Sequence, residues 1–246
     1  MRFKSFLLVV STAFLFQSCL KDRILHTYTI AIPVYKEKSE VYANIKSNAP
    51  QAVTQPGKMY LYGNYIFLSD VDKGVHIIDN SNPANPVHKA FINIPGNLDI
   101  AVKGNTLYAD LYTDMVVVDI TNPLAARFVK YIPYVFPYRY YGYNFVADSN
   151  RVIVDWIKKD TTVENDVPSN WMKRDVMLYS ANTAGGMSNN SSSSTPTGIA
   201  GSMARISIVG NYMYCLNHSQ LRSFDLSNPV APEQSAVTDM AWNIET

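Results

Sequence analysis

The chain has 246 residues, 47% of them apolar and only 17% charged, with a net charge of +1 at neutral pH. That apolar content excludes a wholly disordered chain, and the small net charge gives no electrostatic footprint for nucleic acid. Aromatics make up 12%, including 17 Tyr, a composition that favours strands and supplies a sizeable core.

The N-terminus reads as a targeting segment. Arg2 and Lys4 precede the apolar run Phe6–Phe16, and Gln17-Ser18-Cys19 come directly after it. The run is too short to span a membrane as a helix and has the layout of a secretory signal. A Cys directly after a small residue resembles a bacterial lipobox. Residues 1–18 are therefore expected to be a lipoprotein signal peptide, with Cys19 as the lipidated first mature residue. The competing reading is an ordinary secretion signal with an incidental Cys. Leu20-Lys21-Asp22 resembles the charged export tag of Bacteroidetes-type surface lipoproteins, against the plainer reading of a linker start. Pro33, Pro50 and Pro56 punctuate the segment up to Gly57. The expectation for 19–56 is a lipid anchor and tether that contributes at most one strand, Thr27–Pro33.

From Gly57 on, the chain repeats. The apolar run His76-Ile77-Ile78-Asp79 ends in Asp79-Asn80-Ser81-Asn82-Pro83. It returns as Val116-Val117-Val118-Asp119 with Asn122-Pro123, and again as Phe224-Asp225 with Asn228-Pro229. Upstream of each sits a Gly-Asn pair: Gly63-Asn64, Gly104-Asn105 and Gly210-Asn211. The first two copies are 40 to 41 residues apart, the signature of a repeat architecture. In the cleanest copy four strands are expected, at Leu98–Val102, Thr106–Tyr112, Met115–Ile120 and Arg127–Ile132. Gly-Asn suits a tight hairpin. Asn-Pro stops the third strand, because Pro lacks a ladder donor. The preceding Asp can accept bonds from the turn's amides. The residues Asp79, Asn82, Pro83, Asp119, Asn122, Pro123, Asp225, Asn228 and Pro229 are thus read as structural turn residues. Four strands in about 40 residues is the size of one β-propeller blade.

These runs resemble the LVIVD repeat, an apolar strand ending in Asp. The Asp225 copy departs from it, with Arg222 and Ser223 at apolar positions. The resemblance covers Gly57 to the C-terminus. It implies an all-β, propeller-like fold on a lipid-anchored bacterial surface protein, and it carries no activity to transfer. Blades are expected at about 57–97, 98–138, 139–200 with insertions, and 201–243. The third is disturbed. Val152–Trp156 and Asp175–Ser180 read as its strands, with charged residues 157–174 inserted and the low-complexity run Asn189–Thr195 not expected to pack. The sequence stops where a fifth repeat would begin. An incomplete propeller, truncated from a longer protein, is the expectation, and a closed four-blade ring the alternative.

Chemistry is sparse. Four His show no metal-ligand spacing, and there is no Gly-x-Ser-x-Gly, phosphate loop or Cys-x-x-Cys. His76 reads as a structural histidine and Cys215 as a small apolar residue. Asp70, Asp72, Asp110, Asp114 and Asp155 recur near strand ends, where capping of loops competes with a cation-binding ring and prevails for want of a compact Asp-rich loop. No cofactor and no metal are implied. The aromatic stretch Tyr131–Phe145 and two Trp stand out. In an up-and-down blade the Gly-Asn hairpins and Asn-Pro turns share one face, and every irregular loop falls on the other. That second face is expected to bind, with Tyr138, Arg139, Tyr140, Tyr141, Trp156 and Trp171 supplying contact area. The function expected is a non-catalytic binding or assembly module at the bacterial outer membrane, with a protein or glycan partner. A carbohydrate-active or other enzyme on a propeller scaffold is the alternative; convergent carboxylates at the channel mouth would favour it.

Overall fold

The computed structural model describes residues 25–137, 150–164, 177–183, 204–217 and 219–240. In chain order β1 is Leu25–Glu37, α1 Lys38–Ala43 and β2 Ser47–Asn48. The first repeat continues the chain as β3 (Pro56–Tyr62), β4 (Tyr65–Asp70), β5 (Gly74–Asp79) and β6 (Val87–Asn93). The second is β7 (Ile100–Lys103), β8 (Thr106–Leu111), β9 (Asp114–Asp119) and β10 (Arg127–Ile132). Then come β11 (Arg151–Glu164) and β12 (Met177–Thr183). The last repeat is β13 (Ile206–Val209), β14 (Tyr212–Asn217), β15 (Gln220–Asp225) and β16 (Glu233–Asp239).

Each complete repeat is one antiparallel sheet in chain order, as a propeller blade requires. In all three, the residue after Gly-Asn pairs with the repeat aspartate: Tyr65 with Asp79, Thr106 with Asp119, and Tyr212 with Asp225. Gly63, Gly104 and Gly210 all sit at φ between 55° and 58°. That conformation is cheap for Gly and costly for residues with a Cβ, which is why the hairpins share this residue.

The blades stack face to face. Phe67, Val75 and Ile77 of the first pack on Leu107, Val116 and Val118 of the second. Tyr108, Met115 and Val117 of the second pack on Met213, Cys215 and Phe224 of the last. Alternation sends Val116 and Val118 to one layer and Val117 to the other, as strand geometry demands. The first strands β3, β7 and β13 lie side by side. The fold is all-β and propeller-like, and its sheets do not close into a ring among the described residues.

Two expectations need correcting. The segment read as a tether is folded into the domain from Leu25 on. β1 runs for 13 residues, well beyond Thr27–Pro33. Val41 and Ile45 lie buried in the layer between the first two blades. β2 then extends the first sheet beyond β6. The third repeat also departs from a blade. Residues 157–164 continue β11 instead of forming an insertion loop, and β1 lies between β11 and β12. The cause is pairing: a strand needs a ladder partner, and β1 supplies one to both. The last blade consequently packs directly on the second.

Candidate functional site

The two faces of the stacked blades differ in construction. On one face, each Asp-x-Ser/Thr-Asn-Pro turn closes on its own Gly-Asn hairpin. Asn80 N donates to Asn64 O at 2.7 Å, Ile120 N to Asn105 O at 2.9 Å, and Leu226 N to Asn211 O at 2.7 Å. Within each turn the aspartate Oδ1 accepts from the amide and hydroxyl two residues on: Ser81 for Asp79, Thr121 for Asp119, Ser227 for Asp225. Those bonds hold all three carboxyls below the ordinary carboxylate range. Asn82 and Asn122 each accept from the amide two residues later, and Pro229 O accepts from Tyr108. Pro83, Pro123 and Pro229 occupy equivalent places beside these turns. The turns of this face share one construction and bond mainly within themselves.

The opposite face is built from buried carboxylates that tie neighbouring elements together. Asp70 accepts from Thr54 N, Thr54 Oγ1 and Gln55 N, and meets His76 Nε2 at 3.0 Å. Burial pushes its carboxyl up, but these bonds outweigh that and hold it below the usual value. Asp110 Oδ1 accepts from Asn97 Nδ2, Leu98 N and Asp99 N. Asp99 pairs with Lys58 at 2.9 Å and accepts from Ile206 N, so it joins the first strands of three repeats. Asp114 takes Lys38 at 2.9 Å, Tyr42 and the Tyr134 amide. Burial, with Asp114 beside it, raises the Tyr42 hydroxyl pKa.

These acids are engaged by donors of the fold and act as loop caps. No group of three or more His, Cys, Asp or Glu side chains suited to a metal occurs among the described residues. Asp72 sits in a turn at φ 65°, and Asp155 is exposed and ion-paired with Lys73 at 3.4 Å. His76 is fully buried, its ring between Phe91 and His88. Cys215 is buried too, and burial pushes its thiol pKa up.

Beside these caps lies a groove of about 340 Å³. Lys36, Glu40, Asn44, Asn93 and Asp155 ring it over Val41 and Val154. It joins β1, α1, the loop after β6 and β11. Trp156 is next to Asp155 in β11, half-buried and opposite Pro33. Of the other residues expected on this face, Tyr138, Arg139, Tyr140, Tyr141 and Trp171 lie outside the described residues, as does Cys19. Sequence reasoning missed Lys36, Lys38, Glu40, Tyr42 and Asn44, because the segment reads as a linker until its distant partners are known. Asn97, the hub between Ser69 and Asp110, carried no local signal.

LVIVD-repeat models match residues 57–93, 97–129 and 200–236. The chain thus carries three LVIVD repeats. The matched spans take in most of the three four-stranded blades, ending within β10 and β16 in the second and last, and skip 130–199, which contains the unit that takes β1 as its centre. No curated protein matches the chain. Two solved structures are distantly similar to this LVIVD-repeat chain. One is a protein from Lactobacillus plantarum, 14% identical over 89% of this chain and 69% of that one, with a TM-score of 0.34. The other is the periplasmic gluconolactonase of Pseudomonas aeruginosa, 13% identical over 80% of this chain and 59% of that one, with a TM-score of 0.30. Among the described residues no helix is long and apolar enough to cross a membrane.

Proposed function

We propose that this LVIVD-repeat chain is a non-catalytic binding or assembly module. A lipid on Cys19 holds it at a bacterial outer membrane, and a protein or glycan partner docks on the loop face. One observation carries the reading: the asymmetry of the two faces. The turns of one face bond mainly within themselves, whereas the loop face carries an open groove with exposed charge of both signs. Binding residues concentrate on irregular loops held by a rigid scaffold. The engagement of Asp70, Asp99, Asp110 and Asp114 by donors of the fold supports the non-catalytic part, since an acid–base pair must reach its substrate. The test is capture from envelope extracts by the lipidated protein, alongside a glycan array. Trp156→Ala and Glu40→Lys are expected to lose the partner while melting normally. Loss instead through Asn82→Ala and Asn122→Ala, on the turn face, would overturn the assignment.

A further inference from the structure

The stacking of the blades obeys a rule that the two ends of the stack leave unfulfilled. Each blade has a forward face, covered by the next blade, and a rear face, covering the previous one. Two hydrogen bonds cross the stack at one repeat position. Tyr62 donates to Asn105 Oδ1 at 2.6 Å, and Lys103 donates to Asn211 Oδ1 at 2.6 Å. Both run from the residue before one Gly-Asn hairpin to the Asn of the next. A third bond, between the second and last blades, runs from Tyr108 Oη to Pro229 O at 2.7 Å.

The last blade has a forward face of the same kind, uncovered among the described residues. Val209, at the position of Tyr62 and Lys103, is 64% exposed, and Tyr212 is 46% exposed. Tyr214 stands at the position of Tyr108, and its hydroxyl has no hydrogen-bond partner among the described residues. At the other end, the rear face of the first blade is open along its first strand, where Met59 and Leu61 are 59% and 66% exposed, while His76, Ile78 and Phe91 on its outer strands are buried. The residues at those positions in the second blade, Ile100 and Val102, are buried. The first blade also presents the acceptors of the rule: Asn64 and Pro83 stand where Asn211 and Pro229 do, and both are exposed.

We propose that these two faces cover each other between two copies of the chain, head to tail. The forward face of the last blade lies on the rear face of the first blade of a second copy. Tyr214 Oη donates to Pro83 O of the second copy, as Tyr108 does to Pro229 within the chain. Val209 offers no donor to Asn64, so Tyr214 is the polar anchor and Val209, Tyr212, Met59 and Leu61 supply apolar contact. A head-to-tail contact is heterologous and closes when its rotation brings the chain back on itself. Two copies of the three described blades make six, within the range of closed propellers. Closure also removes the exposed apolar ends, which are otherwise an association hazard. The occupant is set by the repeat itself, because a rear face of this sequence type already covers a forward face twice in the fold.

The experiment uses the full chain in detergent, with mass measured by sedimentation at micromolar concentration. A two-copy mass is expected, and a monomer would overturn the proposal. Val209→Glu and Leu61→Glu, both at exposed sites, are each expected to give folded monomers that still melt cooperatively. Retention of the two-copy mass by both, once normal melting shows they are folded, would overturn it. Tyr214→Phe is expected to weaken association about tenfold per contact, and so about a hundredfold for the closed pair, which loses two hydrogen bonds. Register is read with Val209→Cys and Asn64→Cys proteins and a short bismaleimide. Cross-links that form only when the two variants are mixed support the head-to-tail contact. Efficient linking of Val209→Cys to itself would refute it. None of these substitutions touches the groove, so partner capture and self-association fail independently.

Discussion

Truncating Val117 to Ala removes two methyl-sized groups from a side chain with no exposed surface, in the layer between the second and last blades. At about 0.8 kcal/mol per buried methylene the transfer loss is about 1.6 kcal/mol. Incomplete collapse of a cavity of about 50 Å³ adds about 1.2 kcal/mol, at about 24 cal/mol per Å³. The expected cost is therefore about 2–3 kcal/mol. Ile77→Ala removes one carbon more from the layer between the first two blades, with an expected cost of about 3–4 kcal/mol. Val237→Ala, at an exposed site outside the proposed contact, is the control and is expected within about 0.5 kcal/mol of zero. Urea unfolding followed by aromatic fluorescence measures all three, with the m-value checked for constancy. A cost near zero at Val117, or one at Val237 as large as at Ile77, would show that the blades do not stack in this register.

Further outcomes test other parts of the structure. Asp79, Asp119 and Asp225 have folded pKa values below the unfolded value of about 4. Their contribution is thus present above that value and lost as pH falls through the lower folded values; an Asp→Asn triple variant is expected to flatten the acid limb of the stability profile, as read by melting between neutral and strongly acid pH. A double-mutant cycle on Lys38→Met and Asp114→Asn is expected to show a coupling of about 0.5–3 kcal/mol, since the pair is in contact and Asp114 is buried; no coupling would detach α1 from the domain. Mass spectrometry of the mature N-terminus is expected to find diacylglycerol on Cys19, and Cys19→Ala to release the protein from the membrane; a processed variant that stays membrane-bound would refute the anchor.

The repeat was readable in the sequence because its determinants are local. Gly-Asn fixes a hairpin through one residue's freedom at positive φ. Asn-Pro ends a strand by removing a donor and restricting the residue before it. Strand alternation then assigns Val117 and Val116 to opposite faces. The expected strand Arg127–Ile132 coincides with β10, and the other three strands of that blade shift by no more than two residues at either end. The sequence did not reveal where β1 goes. Its ladder partners lie more than 100 residues away, so no local pattern distinguishes it from a linker, and with it went Lys38, Tyr42 and the groove. The same non-local pairing took the third repeat out of the stack and set the last blade directly on the second. The carboxylates illustrate the division as well: the positions of Asp70, Asp110 and Asp114 near strand ends were visible in the sequence, and that of Asp99 was not. Only packing decided that Asp70, Asp99, Asp110 and Asp114 would be buried, since burial of an acid is tolerable only where several donors from distant segments converge on it.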